Sequence, residues 1–409
     1  KQKTAYEMTS SLVGSEMCTR DSAKTEVTDD ECVEWYKETN RDQTDPAAVL
    51  RINAEGVVSY KALLFIPGKD IDNGISGATK KGVKLYCNGV LIMEDCDKLL
   101  HDYFEFVRGV VDSPDLSLNI SGEILQHNRQ LKVIGQNLEK KIKAELEKMM
   151  RDDRPKYETF WKNFGIHIKC GVCDEYGRFT DFLKDLLIFY TSEDSMRSLK
   201  EYVDAMPESQ KAIYYASADT VKHAMALPQC EEVRSRGYEI LYLDHPIDET
   251  VLQQLRMYEG KGFVNILTED LGFQTDEEKK AAEEKVVENK ELLDFIRDSI
   301  GDEKLKQVTL SSKLVSSACC LTSTGGFTLE MEKYFRNGPS EEMRKLRADR
   351  VLELNGKHAA CLAIKKAYDD GDKDKAAALS KILYAQSELI AGVEIEDPTA
   401  YADLVCSLF

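Results

Sequence analysis

The chain is 409 residues long, 42% hydrophobic and 31% charged, with 73 acidic against 55 basic residues and a formal net charge of −18. That length is enough for two to four domains and a sizeable core, and the acid excess disfavours a phosphate backbone as partner, which requires a clustered cationic surface. No run of about 18 uncharged apolar residues offers a membrane-spanning helix, and 11 cysteines without a framework spacing fit thiols in a reducing cytoplasm better than extracellular disulfides.

In chain order, the opening KQKTAYEMTS has neither an initiator Met nor an apolar signal region, so a fragment of something longer is expected. VVSYKALLFI (57–66) is β-branched and aromatic and stops at Pro67-Gly68, which reads as a strand. A glycine-rich loop, GKDIDNGISGATKKG, follows. Its Gly77 to Gly82 is half of a phosphate-binding loop, but Val83 stands where lysine is needed and a strand rather than a helix comes next. KLYCNGVLIM (84–93) predicts two short strands about an Asn88-Gly89 turn.

LSLNISGEILQ (116–126) poses a question. Ser121 suits a helix N-cap and Glu123 suits the positive end of a helix dipole, yet Gly122 sits between them, where glycine costs a helix roughly 1 kcal/mol relative to alanine. Either backbone N–H groups approach an anion there, or a working side chain has been replaced. Beyond it, Leu131, Ile134, Leu138, Ile142, Leu146 and Met149 recur at spacings of 3, 4, 4, 4 and 3, an amphipathic helix.

Residues 140–205 are dominated by helical patterns. They contain the pair Cys170 and Cys173, which has no second CxxC and no completing histidine; a thiol enzyme is the remote reading and chance cysteines the plain one. AIYYAS (212–217), a mostly helical stretch interrupted by Pro228, and YEILYL (238–243) make a βαβ unit with parallel strands. Residues 275–291, TDEEKKAAEEKVVENKE, read as a solvated helical linker and the main domain boundary.

GGFTLEMEKYF (325–335) places Phe327, Met331, Tyr334 and Phe335 on one face of a short helix, with Glu330, Glu332 and Lys333 on the other. Such a stripe is ordinarily core. Following a Gly-Gly hinge, it is alternatively an adaptable surface for irregular apolar partners. The ending DPTAYADLVCSLF offers Asp397 as cap, Pro398 at the first helical position, and a stripe of Tyr401, Leu404, Val405, Leu408 and Phe409 that packs on its own domain or on a second copy. The residues alone name no complete active site, and no metal-ligand set.

Together, YKALLFIP (60–67), GVLIMEDC (89–96), FVRGVVDSPDLSLNIS (106–121), EILQHNRQLKVI (123–134), IYYAS (213–217), GYEILYL (237–243), TLEMEKYF (328–335), RVLELN (350–355) and the final DPTAYADLVCSLF resemble the ninety-kilodalton heat-shock protein chaperones in their bacterial form. The resemblance implies an α/β middle domain over 1–272, with a large α/β unit to about 140, a helical connector over 141–205 and a small α/β unit over 206–272. It implies a charged linker at 273–290 and a mostly helical α+β dimerisation domain over 285–409, with the nucleotide-binding domain missing. In the family, a loop arginine contacts the terminal phosphate of ATP, with a glutamine four residues later. Gln126 matches the glutamine and Asn119 the loop asparagine, but Gly122 occupies the arginine position. A guanidinium brings charge and two aligned donors to a phosphate, and glycine at most one N–H.

The resemblance further implies unfolded or partly folded client proteins as partners, contacted by Phe327, Met331, Tyr334 and Phe335 and more weakly by Ile71 and Ile75, the only large apolar residues of the glycine-rich loop. Cys18 stands where the family has a tryptophan. A homodimer is implied through Leu379, Leu383, Leu389, Ile390, Tyr401, Leu404, Val405 and Leu408. The implied activity is that of a cytoplasmic ATP-driven clamp using ATP and Mg in the full-length protein, with no cofactor and no hydrolysis in this fragment. A client-binding scaffold with decayed ATP coupling is the alternative.

Overall fold

The computed structural model describes residues 28–69, 82–116, 129–325, 327–336 and 340–407. It is a mixed α/β protein with three sheets, forming two compact units that divide between Ile188 and Phe189.

In the first unit, α1 (Asp29–Asn40) is fixed by a reciprocal capping box between Thr28 and Glu31. It covers a five-stranded sheet of order β1-β2-β5-β3-β4, from Ala48–Ala54, Tyr60–Ile66, Arg108–Asp112, Val83–Cys87 and Val90–Met93. Trp35 and Tyr36 pack on Phe65 with ring centroids 5.7 and 5.0 Å away, and the Tyr36 hydroxyl donates to Asp42 at 2.7 Å. Fully burying one such side chain stabilises by about 1.5–3 kcal/mol. The sheet is antiparallel except for β3 and β5, which run parallel. Strand β2 begins at Tyr60 rather than at the expected Val57, which is 93% exposed.

The predicted long helix is α2 (Arg129–Asp152), and Leu131, Ile134, Leu138, Ile142, Leu146 and Met149 are all buried. A Cβ at Gly135 would collide with the Leu99 carbonyl oxygen, so a glycine there lets the helix lie directly on the chain. Asp153 caps α3 (Arg154–Cys173), with proline in its first turn, and a short α4 (Thr180–Leu183) follows.

The second unit holds a six-stranded sheet of order β10-β11-β8-β9-β6-β7, from Met257–Tyr258, Lys261–Asn265, Ile213–Ser217, Leu241–Leu243, Ile188–Ser192 and Ser195–Ser198. Helix α5 (Leu199–Ala205) follows β7, and α8 (Ile247–Leu255) follows β9. The βαβ reading holds, since β8 and β9 are parallel. Its crossover is broken at Pro228 into α6 (Val221–Ala226), a 3-10 turn and α7 (Glu231–Ser235), because proline lacks the N–H that a continuous helix needs. The strand expected over 238–243 shortens to Leu241–Leu243. Strands β6 and β7 lie inside the stretch whose pattern is mainly helical.

The charged stretch 275–291 contains α9 (Asp276–Glu288), a helix with no buried residue, inside the second unit. Beyond it come α10 (Lys290–Ile300), β12 (Leu305–Leu310), β13 (Cys319–Thr324), α11 (Leu329–Arg336), α12 (Glu341–Arg344), β14 (Asp349–Leu354), α13 (Ala359–Asp369), α14 (Lys373–Ala391) and α15 (Pro398–Cys406), and all but α12 and α15 contribute buried residues to one core. Its sheet has the order β12-β14-β13.

Candidate functional site

Helix α11 is built with its polar face inward. Gly325 enters at φ +85°, and the Thr328 hydroxyl accepts from Met331 N at 3.2 Å at the first turn. Leu329 is buried, and Glu332 has no exposed surface at all. One Glu332 oxygen accepts from Ala348 N at 2.8 Å and the other from Arg350 Nη2 at 3.2 Å. Arg350 Nη1 reaches Glu388 on α14 at 2.5 Å and the Tyr384 hydroxyl at 3.1 Å, and Tyr384 donates to Asp302 at 2.5 Å. One guanidinium therefore ties α11 and α14 to the central strand β14. Burial pushes the Glu388 carboxyl up to about 7 in spite of Arg350 beside it. Glu330 is also raised by burial, against the pull of Lys333 Nζ at 2.5 Å.

The residues expected on the solvated face, Glu330, Glu332 and Lys333, are thus the anchored ones, which corrects that part of the sequence reading. The apolar stripe looks outward instead. Met331 is 40% exposed and Tyr334 61%. Phe327 and Phe335 are half-buried and stack with centroids 6.0 Å apart, with Tyr334 edge-on to Phe335 at 5.4 Å. A thioether and a phenol ring on rigid supports make a surface that adapts to irregular apolar shapes.

Of the α14 residues, Leu389 is 54% and Ile390 38% exposed, whereas Leu379 packs partly against the core. Leu383 is 6% exposed and belongs to the core of its own unit, so it offers no contact surface. Asp397 caps α15 by accepting from Ala400 N at 2.9 Å, and no residue of that helix is buried; Tyr401, Leu404 and Val405 are half-exposed.

The residues leading into the 116–126 loop are tied by hydrogen bonds to the chain around Ser59 and Gly89. Ser59 N donates to Asp115 at 2.6 Å, the Ser113 hydroxyl donates to Ser59 O at 2.7 Å, and Gly89 N donates to Asp112 at 2.9 Å.

The family model described as Hsp90 protein matches residues 14–409. The chain belongs to the Hsp90 family. It is 42% identical over 386 residues to the chaperone protein HtpG of Bacillus subtilis, covering 94% of this chain and 61% of that relative. The HtpG proteins of Clostridium perfringens and Alkaliphilus oremlandii match at 43% and 41% over the same shares. The chain thus spans about 61% of the length of the curated relatives it matches.

Of the family positions, Asn119, Gly122, Gln126, Ile71, Ile75, Leu408 and Cys18 lie outside the described residues. Phe327, Met331, Tyr334 and Phe335 are brought together; the interface candidates are divided as above.

Cys170 and Cys173 lie at the C-terminal end of α3, the negative end of the helix dipole, where a thiolate is disfavoured. The Cys170 thiol is raised by burial and by the Asp174 and Glu105 carboxylates. A Cβ on Gly171 would meet Tyr103 Cβ at 2.5 Å, so the CGVC turn is shaped by packing. These features give the thiol-enzyme reading no support. Sequence reasoning missed Arg350 and its carboxylates, because their meeting depends on residues 18 and 38 positions from it.

Proposed function

We propose that this chain is the client-binding and dimerising part of an Hsp90-type chaperone, a cytoplasmic protein of the stress response that takes partly folded proteins. The observation that carries the reading is the inverted polarity of α11. Met331 and Tyr334 stand open to solvent while Glu332 is sunk beneath them, and apolar side chains held outward by a buried ion pair are suited to contact rather than to core packing. In this reading the first unit and the start of the second form the middle domain, and residues from α9 onward form the dimerisation domain.

In the whole protein we expect ATP and Mg to drive a clamp. Among the described residues no three His, Cys, Asp or Glu side chains gather as a metal-holding group. The residues matched to ATP contact lie at 119–126, outside the described residues. We expect this chain alone to hydrolyse no ATP.

The test is suppression of aggregation of a chemically unfolded protein diluted into buffer. The chain should suppress it, and Met331→Ser combined with Tyr334→Ser should abolish most of the effect. Equal protection by the double variant would sink the reading. A second reading, a scaffold with decayed ATP coupling, is favoured by Gly122 alone. Gly122→Arg in the full-length protein should then raise ATP turnover by about tenfold or more, since a phosphate-contacting arginine is worth roughly that or better. Unchanged turnover would remove it.

A further inference from the structure

We propose that a cleft in the second unit binds an acidic, leucine-bearing peptide segment. The cleft has a volume of about 700 Å³, within the range of ligand-binding clefts. Helices α9 and α10 line one side, and the segment after β12 together with α13 lines the other. Helix α9 faces it with Ala281 and Ala282, the smallest residues of a helix that is otherwise charged apart from Val286 and Val287, which leaves the slot open. Its apolar lining is incompletely covered: Leu362 is 51% exposed, and Leu292 and Leu314 are half-buried.

Charge identifies the occupant. Lys285, Lys357 and Lys365 line the cleft, and none makes an ion pair among the described residues; Lys365 has only a hydrogen bond to Asn289 Oδ1 at 3.2 Å. The two carboxylates present are already engaged. Glu232 pairs with Arg236 at 2.9 Å, and Glu278 accepts from Thr275 N at 2.8 Å as part of the α9 cap. In a chain of net charge −18, three lysines with no carboxylate partner around exposed leucine are a local reversal of sign. They come from three places: α9, the turn before α13, and α13 itself. A fatty acid has a single carboxylate and satisfies one of them. A peptide with several carboxylates spaced around leucines satisfies all three while covering the apolar lining. Nucleic acid would want stacking faces, and the ring of Phe273 is already taken by Arg236 at 4.1 Å. The inference rests on the client-binding reading only for where such a segment comes from, namely a non-native protein.

The experiment is fluorescence anisotropy on the whole chain. The probe is a labelled helix-forming peptide with leucines on one face and glutamates beside them, against the same peptide with lysines for glutamates. The acidic peptide should bind roughly tenfold more tightly or better, weakening with salt, as expected for complementary exposed charge. Lys357→Glu with Lys365→Glu should reverse that preference. These lysines are exposed, and circular dichroism should show the fold intact. Leu362→Asp should remove binding of both peptides. Equal affinity for the two peptides, or indifference to the lysine variants, overturns the proposal, and so does displacement by dodecanoate at concentrations matching the peptide. If the chain binds the peptide but suppresses no aggregation, the client reading fails while the cleft stands.

Discussion

Glu231 shows how far one carboxylate can be taken from its ordinary behaviour. It accepts from Val315 N at 2.7 Å, from Ser316 N at 2.8 Å, and from the hydroxyls of Ser316 and Ser317 at 2.8 and 2.5 Å. Burial alone would raise it, but donors from Ser317, Ser316 and Val315 hold it at about 2. Its folded value lies below the unfolded one, so its stabilisation is present above the unfolded range near 4.5 and is lost as pH falls through about 2. Glu231→Gln should cost about 1.5–3 kcal/mol at neutral pH, the worth of hydrogen bonds to a charged group, and flatten the acid limb of urea-denaturation midpoints. Glu388 has the opposite sign. Raised to about 7, it favours the fold most below the unfolded range near 4.5, and its contribution declines as pH rises through about 7. Midpoints measured from pH 5 to 8 should fall with pH, and Glu388→Gln should remove that slope. Arg350 sets the stakes for the whole cluster. Arg350→Ala should cost about 3–5 kcal/mol, because Glu388 and Asp302 lose their cation and Glu332 keeps only the more distant Arg336 and Arg347, at 3.7 and 3.8 Å. Replacing Arg350, Glu332 and Glu388 together by Met, Gln and Gln should cost much less, as double-mutant logic requires of a coupled network.

At the scale of elements, what the sequence made legible were those whose partners are repetitive. Helix α2 carries its six large buried apolar side chains at regular spacing, and any flat apolar neighbour accepts that stripe. The Asn88-Gly89 turn was equally readable, since Asn88 at φ 48° and Gly89 at φ 77° adopt the left-handed backbone that such a hairpin needs. Helix α11 was readable as a stripe, but not as to which side of it faces the core. Periodicity gives the angle between residues and not the direction of the interior, and here Leu329 in the core and Glu332 on Arg350 of β14 leave Met331 and Tyr334 facing out. The β6–β7 strands were missed for a related reason. Their SEDS segment (192–195) breaks any apolar alternation, and Ile188 to Tyr190 alone cannot be told from a helix end. The stripe residues were thus named by residue type, and which way they face is legible only in the structure. The outward setting of α11 has a measurable consequence. Met331→Ser with Tyr334→Ser should change stability by no more than about 0.5 kcal/mol, as exposed substitutions do, while most aggregation suppression is lost. A large destabilisation would mean that the stripe is core after all.

For the whole molecule, the question is what covers α14 and α15. The first four turns of α14 are held in the core by Ala376, Leu383 and Tyr384, and its last turn presents Leu389 and Ile390 to solvent. Helix α15 buries none of its residues, although Tyr401, Leu404 and Val405 lie along one side of it. An apolar terminal helix that its own unit leaves half uncovered is poorly placed in water unless a second surface meets it, and for a closed symmetric pair that surface is the same one on another copy. The chain should therefore sediment as a dimer at micromolar concentration. Leu389→Asp with Leu404→Asp should shift it to monomer while leaving its circular dichroism spectrum unchanged, because neither side chain contributes to the core of its own unit. Leu383→Asp serves as the contrasting variant. Its side chain is 6% exposed in that core, so it should unfold the C-terminal part at every concentration rather than shift an association equilibrium. If the first pair of substitutions left the dimer intact and Leu383→Asp alone dissociated it, the interface would lie on a face of α14 that the protomer has to open in order to associate.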